Sequence, residues 1–350
     1  MLRSPRLRWW RPLAALGVAG AALLIVELAI SVVVGLLAFA AGVDISNVRA
    51  LTRYMTGTPV GFLFIALSLA VIIPIVLVTV RLIFGTPMGF LVSVQGRFRW
   101  RWAVRCLLCV FPIWAIVMVV SVFTGQFTGG PHRHWLIMMI LVVLLIPLQA
   151  AGEEFGFRGF IQQVVGSWFG NRWLALIIPA VASIPAFAAA HGSTDLWVFA
   201  DLAVFAASTV YLTWRTGGLE AAIAIHAMNN VLLMLTGLAL GGFEAGFVSS
   251  DTSGSWFEVL ISLVSQVVAV VVISWQARRA GIQRMFAPKP PPRRPTSCTG
   301  HSVDGLDHRV GVEGPPQGLH GGDRQWPGQD LGHRAVGQSQ PGPGPGWQQG

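Results

Sequence analysis

The sequence predicts an all-α membrane protein, a polytopic bundle of about eight transmembrane helices followed by a disordered C-terminal tail. Three observations support this fold class. The chain is 54% hydrophobic and only 11% charged, whereas soluble globular domains carry about 25% charged residues. Apolar runs of about 20 residues, long enough to cross a bilayer, recur along the chain. Positive charges concentrate in alternate linkers between these runs, as they do in membrane proteins.

The first apolar run covers about 12–43 and follows a basic N-terminus. It is about twice as long as the roughly 7–15-residue apolar region of a cleavable signal peptide, so we expect a retained helix. Glu27 lies within it, and we expect its carboxyl to face the bundle, the alternative being a role in a polar site. Seven more predicted spans follow, at about 58–84, 102–124, 135–157, 172–191, 196–214, 218–240 and 256–277.

The positive charges also predict the orientation in the membrane. Alternate linkers and the terminal segments, up to residue 294, together hold eighteen Arg and Lys residues, whereas the opposite side holds only Arg49, Arg53 and Arg133. Cytoplasmic segments carry such an excess. We therefore expect an integral protein of a bacterial cytoplasmic membrane with both termini in the cytoplasm. Because this charge orients helices, no nucleic-acid partner is expected.

Composition divides the chain into two parts. Residues 1–287 form the predicted transmembrane helical domain, and its core at about 135–240 carries the polar stretches considered next as candidate catalytic residues. From residue 288 the chain is rich in Pro, Gly, Gln, His and Arg and has no apolar periodicity. Such a segment cannot bury enough apolar surface to fold, so 288–350 is expected to be a disordered cytoplasmic tail.

Two adjacent carboxylates, Glu153 and Glu154, lie at the end of the fourth predicted span. Ionisable groups at membrane depth are costly and by default indicate function. Arg158 follows Glu154 by four residues, so the two share a helix face and can pair. Glu153 is turned about 100° away and is free to face a reaction centre. We expect Arg158 to hold Glu154 while Glu153 acts as a general base.

Two later stretches supply further polar groups. Phe187 and His191 are four residues apart, so the ring can orient the imidazole, and His226 and Asn230 repeat this spacing on another helix. Asn229 lies on a different face and is not selected. With the two carboxylates, these groups provide a base for water, a proton shuttle and donors for an oxyanion, as a peptide hydrolase requires. A nucleophilic enzyme fits poorly, since the sequence has no G-x-S-x-G.

Each of these residues also has an ordinary structural explanation. A lone His in an apolar helix is usually packed and hydrogen-bonded. A Glu–Arg pair four residues apart usually only stabilises its own helix, and Asn often hydrogen-bonds between membrane helices. Two alternatives therefore remain: a non-enzymatic membrane scaffold, and a proton-coupled transporter whose Glu/His/Arg cluster relays protons. The joint occurrence of three such stretches on predicted spans favours an enzyme.

The three stretches resemble the signature of the CAAX-protease and bacteriocin-processing family of intramembrane endopeptidases, which includes the type II CAAX prenyl proteases. That signature is Glu-Glu-x-x-x-Arg, then Phe-x-x-x-His, then His-x-x-x-Asn. This chain matches it at 153–158, 187–191 and 226–230. The lead-in at 216–219 is also similar. The resemblance covers about 135–235.

The resemblance implies a role for each matched residue. Glu153, together with His191, would activate the attacking water. His226 and Asn230 would stabilise the oxyanion of the reaction. The expected supporting residues are Glu154, Arg158 and Phe187.

Members of this family have been described both as metal-free glutamic proteases and as metal-dependent enzymes. Two His and one Glu are plausible zinc ligands, but H-E-x-x-H is absent from the sequence. We expect no cofactor, and the alternative is a zinc ion held by Glu153, His191 and His226. The predicted function is hydrolysis of a peptide bond by a Glu/His-activated water in a cavity open to the cytoplasm. The expected partners are the lipid bilayer and a peptide or membrane-protein substrate.

The depth of the site generates a further expectation. Glu153 should lie near the cytoplasmic end of its span, whereas His191 lies 19 residues beyond Arg172, about 28 Å along a straight helix. A single site requires similar depths. We therefore expect the hairpin 172–214 to be displaced towards the cytoplasm, or kinked at Pro179 or Pro185.

Overall fold

The structure, a computed structural model, describes residues 8–285 and is helical over most of that range. The described residues include no strand beyond an isolated bridge between Ser93 and Gly218, which confirms the predicted all-α class. The tail predicted at 288–350 lies outside the described residues. The helices are α1 (Arg11–Ala40), α2 (Val48–Gly57), α3 (Pro59–Ala70), α4 (Ile72–Phe84), α5 (Gly89–Val92), α6 (Trp100–Phe123), α7 (Trp135–Glu154), a π-helix (Phe155–Ile161), α8 (Gln162–Gly166), α9 (Leu174–Ala190), α10 (Leu196–Thr216), α11 (Glu220–Leu240), a 3₁₀ helix (Phe243–Gly246) and α12 (Trp256–Arg279).

Seven helical segments in the described part of the chain are long and apolar enough to cross a membrane. They are α1, α3 with α4, α6, α7 through α8, α10, α11 and α12. The remaining predicted span, 172–191, appears as α9, an apolar helix of only 17 residues with two internal prolines. The polytopic bundle is therefore confirmed, with seven long segments and one short one in place of eight similar spans.

The fourth span is longer than its sequence indicated. The helical segment that begins with α7 does not end near residue 157. It continues through the π-helix and α8, so that Trp135–Gly166 is one segment of 32 residues. The sequence-based boundary followed from treating Arg158 as a charge at the membrane surface. Arg158 is instead buried inside the bundle.

This continuation removes the expected difference in depth between the two halves of the site. Glu153 lies 13 residues before Gly166, about 20 Å along the helix. Helix α9 begins beside α8, since a Cβ on Gly166 would lie 2.6 Å from the carbonyl oxygen of Ala175. His191 is 16 residues beyond Ala175, about 24 Å along α9. The two lengths are similar, so Glu153 and His191 reach one cavity without a displacement of the hairpin.

Helix α11 is the centre of the bundle and packs against α6, α7 and α10. Its first half is continuously buried from Glu220 to Ala227 and includes four alanines, whose small side chains permit close helix packing in a membrane. Ile223 joins a buried cluster with α1 and α4, and Ile225 joins another with α6, α9, α10 and α12. Leu238 joins a third cluster with α3 and α7. The position of α11 is therefore fixed on all sides.

A buried ion pair fixes the start of α11. The guanidinium of Arg99 donates from Nη2 to Glu220 Oε2 at 2.6 Å and from Nε to Oε1 at 2.8 Å. Its Nη1 also donates to the backbone carbonyl of Thr216 at 3.0 Å. The side chains of Arg99 and Glu220 are 6% and 0% exposed. Arg99 is one of the eighteen positive charges from which the membrane orientation was predicted. In the structure it joins the beginning of α6 to that of α11.

We expect Glu220→Gln to lower the free energy of unfolding by about 3–5 kcal/mol, because it leaves the Arg99 guanidinium buried without a counter-charge. Unfolding in detergent micelles, followed by circular dichroism, measures the loss. The double variant Arg99→Met/Glu220→Met should recover most of it, since both charges are then removed. Arg101→Met, at an exposed position of α6, is the matched control and should stay within about 0.5 kcal/mol. A Glu220→Gln protein as stable as wild type would contradict this account.

Candidate functional site

Glu154 of α7 is the most deeply buried group of the site, with 0% exposure. Its Oε1 lies 2.9 Å from His226 Nδ1 and 3.3 Å from Arg158 Nη1, so the predicted Glu154–Arg158 pair is present. An ionised carboxylate only accepts hydrogen bonds, so Nδ1 of His226 donates this one. The other ring nitrogen, Nε2, is directed towards Glu153 and lies 3.8 Å from its Oε2. His226 therefore lies between the two carboxylates, hydrogen-bonded to Glu154 and close to Glu153.

The ring of Phe187, on α9, packs against Arg158 and against both imidazoles. The guanidinium carbon of Arg158 lies 4.3 Å from the centre of the Phe187 ring, a distance at which a cation is attracted to the face of an aromatic ring. The same ring lies 4.8 Å from that of His191 and 6.1 Å from that of His226, between ring centres. Phe187 thus contacts three of the predicted polar residues.

His191 follows the last residue of α9 and is half-buried. Its Nδ1 lies 2.9 Å from the backbone carbonyl of Phe187, and because that oxygen can only accept, Nδ1 donates. This bond fixes the tautomer in the neutral imidazole and leaves Nε2 as the acceptor. The Phe-x-x-x-His spacing therefore produces a backbone hydrogen bond as well as the expected ring contact.

The four predicted catalytic residues line one cavity of about 700 Å³. They reach it from three elements: Glu153 from α7, His191 from the end of α9, and His226 and Asn230 from α11. The structure thus brings together residues separated by up to 77 positions in the sequence. Glu27, for which a role in the polar site was the alternative, is not among the residues lining this cavity.

The cavity extends from the Glu153 carboxylate towards residues 246–254, between α11 and α12. Trp197 at the start of α10 and Gln126 after α6 also line it. These segments lie on the arginine-poor side according to the charge distribution of the sequence. A cytoplasmic opening is therefore not confirmed and stays a prediction.

The residues do not assemble the alternative metal site. Among the side chains that the structure describes, no three His, Cys, Asp or Glu are grouped closely enough to hold one ion. The proposed zinc ligands Glu153, His191 and His226 thus share a cavity without forming a ligand set.

Three polar residues of the site were not selected from the sequence. Gln149 donates from its side-chain amide to Glu153 Oε1 and accepts from Asn230 Nδ2 at 3.3 Å. Asn229, set aside because it lies on another face of α11, contacts the indole of Trp114. Gln149 precedes Glu153 by four residues, so the spacing rule that selected Arg158 would have found it. No comparable signal connects Trp114 to the site.

Comparison with known proteins finds similarity in the segment of the chain that carries the candidate site. Residues 132–232 match the family model of type II CAAX prenyl endopeptidases, Rce1-like. The match contains every predicted site residue and confirms the resemblance seen in the sequence. The uncharacterized protein YyaK of Bacillus subtilis (strain 168) is 28% identical over 139 residues, which cover 37% of this chain and 46% of that protein. The chain thus spans less than half the length of this relative. No solved structure matches the chain.

Helix α7 approaches α3 closely at Gly152, immediately before the two carboxylates. A Cβ at this position would overlap the backbone carbonyl of Leu69, so Gly152→Ala must push the two helices apart. We expect a loss of about 1–3 kcal/mol of unfolding free energy, typical of overpacking, with displacement of the Glu153 carboxylate. Thermal unfolding in detergent measures the loss of stability.

Gly156→Ala is the matched control for this change. Its Cβ would meet only the side-chain methyl Cγ2 of Ile72, at 3.2 Å, and this group can shift slightly. We expect Gly156→Ala to change the unfolding free energy by no more than about 1 kcal/mol. Equal losses for the two alanine variants would show that the close approach at Gly152 is not a special constraint.

Proposed function

We propose that this protein is an intramembrane endopeptidase that hydrolyses a peptide bond by a water molecule activated at Glu153. One observation carries the proposal. The carboxylate of Glu153 shares a membrane-embedded cavity with His191, His226 and Asn230, while the neighbouring Glu154 is buried and held by Arg158 and His226. One carboxylate is thus held as a fixed counter-charge and the other faces the cavity.

Glu153 acts as the general base of the proposed reaction. It removes a proton from a water molecule, whose oxygen then attacks the carbonyl carbon of the scissile bond. The Nε2 of His191 accepts a hydrogen bond from the same water and helps to orient it. The hydrogen bond from Gln149 holds the Glu153 carboxylate in place.

Attack on the carbonyl places negative charge on its oxygen, and Asn230 and His226 supply the donors for this oxyanion. Asn230 Nδ2 makes one hydrogen bond among the described residues, to Gln149, which leaves its second N–H for the oxyanion. His226 donates from Nε2 in its imidazolium form, with Nδ1 bound to Glu154. Protonated Glu153 then returns the proton to the leaving amine nitrogen, and the C–N bond breaks to give an acid and an amine.

Glu154 and Arg158 support this reaction without contacting the substrate. Glu154 fixes the orientation of the His226 ring through Nδ1, as carboxylates commonly do for catalytic imidazoles. Arg158 balances the charge of Glu154 and packs on the ring of Phe187. Both residues therefore act through His226 and the shape of the cavity wall.

The substrate is a peptide or membrane-protein segment in the lipid bilayer. The matching family model is named for enzymes that act on prenylated CAAX peptides, so a farnesylated peptide is one probe and its unmodified counterpart is the other. The excess of arginine in alternate linkers and in the terminal segments supports the proposal that both termini are cytoplasmic. The proposed cytoplasmic entry is tested by adding peptide to either side of vesicles in which the protein has one orientation.

We expect Glu153→Gln to lower the cleavage rate at least about 100-fold, since general bases contribute this much or more. Purified protein in lipid vesicles is incubated with internally quenched peptides, with and without the farnesyl group, and with solubilised membrane peptides. The variant should unfold at the wild-type temperature, because the substitution preserves the side-chain shape.

Glu27→Gln is the matched control, because Glu27 also lies in a membrane span but does not line the cavity. It should cleave at the wild-type rate. A chelator added to the wild-type protein should not slow cleavage. If neither carboxylate variant alters a measured cleavage, Glu153 is not the base. A wild-type protein that cleaves no peptide but moves protons across the vesicle membrane would favour the transporter.

A further inference from the structure

A chain of hydrogen bonds runs from helix α6 through α11 to Glu153 on α7. The indole Nε1 of Trp114 donates to Asn229 Oδ1 at 2.6 Å. Asn229 Nδ2 donates to Asn230 Oδ1 at 3.0 Å, and Asn230 Nδ2 donates to Gln149 Oε1 at 3.3 Å. Gln149 Nε2 in turn donates to Glu153 Oε1. We refer to these five residues as the amide chain.

The two ends of the amide chain fix the direction of every bond within it. An indole N–H can only donate, and an ionised carboxylate can only accept. The oxygen of Asn229 must therefore face Trp114, and its NH₂ group must face Asn230. The same requirement then orients the amides of Asn230 and Gln149. Flipping any one amide would place two donors or two acceptors against each other.

This fixed direction has two consequences for the reaction centre. The NH₂ group of Gln149 faces the carboxylate of Glu153 and holds one of its oxygens. The NH₂ group of Asn230, and not its oxygen, lies on the side of Gln149 and the cavity, as an oxyanion donor requires. Without Trp114, the outer end of the chain loses its donor-only group, Asn229 Oδ1 loses the indole N–H that it accepts from, and only the Glu153 end still fixes the direction of the amides.

We infer that Trp114, Asn229 and Gln149 are positioning residues that set the amide orientation of Asn230 and the rotamer of Glu153. This inference rests on the proposed function. Polar side chains join membrane helices by hydrogen bonds in many proteins. Joining two helices does not, however, require that every hydrogen bond in the chain be donated in the same direction. Orientation of Glu153 and Asn230 should affect the chemical step more than the binding of peptide, because both groups act on the reacting atoms.

The experiment uses Trp114→Phe and Gln149→Met, which keep side-chain size while removing the hydrogen-bonding groups. Two matched controls exist in the same protein. Trp102, also buried in α6, has an indole N–H without a hydrogen-bond partner among the described residues, and buried Gln162 has an unpartnered Nε2. Trp102→Phe and Gln162→Met therefore remove similar atoms outside the amide chain.

We expect Gln149→Met to lower kcat about 10- to 100-fold, as small misplacement of catalytic groups does, with KM changed less than about twofold. Trp114→Phe should lower kcat by a smaller factor. The double variant should be no slower than Gln149→Met alone, because the indole acts through Gln149, whereas independent effects would multiply. The two control variants should keep the wild-type kcat. The substrate is whichever of the quenched peptides wild type cleaves fastest.

Three results would overturn the inference: a wild-type kcat for Gln149→Met, equal losses in the controls, or multiplying effects in the double variant. The melting temperatures of the same four variants and the double variant provide a readout without activity. Losses for Trp114→Phe and Gln149→Met that are smaller in combination than in sum support the chain, and additive losses refute it. Absence of any wild-type cleavage would refute the proposed function alone, since this thermal cycle still tests the chain.

Discussion

The hydrogen bond between Glu154 on α7 and His226 on α11 is the interaction on which the site depends. A fully buried carboxylate in a membrane protein is costly unless it is paired and hydrogen-bonded. Arg158 supplies the opposite charge from the same segment, but His226 comes from a helix 72 residues away in sequence. The bond therefore joins two of the three elements that carry the proposed catalytic residues. Removing His226 would cost Glu154 this hydrogen bond but leave it paired with Arg158. Removing Glu154 would leave the buried Arg158 without this counter-charge, and breaking a buried ion pair in this way costs about 3–5 kcal/mol.

Helix packing supports this bond from several directions. The alanines of α11 allow close approach to its neighbours, and Gly152 allows α7 to lie against the backbone of α3. The Arg99–Glu220 pair fixes the start of α11, six residues before His226. Directional polar contacts thus set the register of helices whose apolar surfaces alone would permit sliding. The same register brings Asn230 to Gln149 and the Glu153 carboxylate to the cavity.

The sequence predicted those features that depend on spacing along one helix. The Glu154–Arg158 pair followed from a separation of four residues, and the helical class followed from repeated apolar runs. Contacts between helices could not be predicted in this way, because periodicity does not specify which faces meet. For this reason His226 was assigned to the oxyanion without its bond to Glu154, and Trp114 was not connected to the site. The continuation of the helix beyond α7 was missed because the sequence alone does not distinguish a buried arginine, such as Arg158, from an arginine at the membrane surface.

The central claim is that these buried groups cut peptide bonds in a membrane. Its most direct test is the mapping of new peptide termini in membranes of cells that produce wild-type or Glu153→Gln protein at equal levels. The account predicts a set of peptides with new termini in wild-type cells and the corresponding uncut precursors in cells with the variant. Identical sets of termini, with both proteins folded and in the membrane, would contradict it.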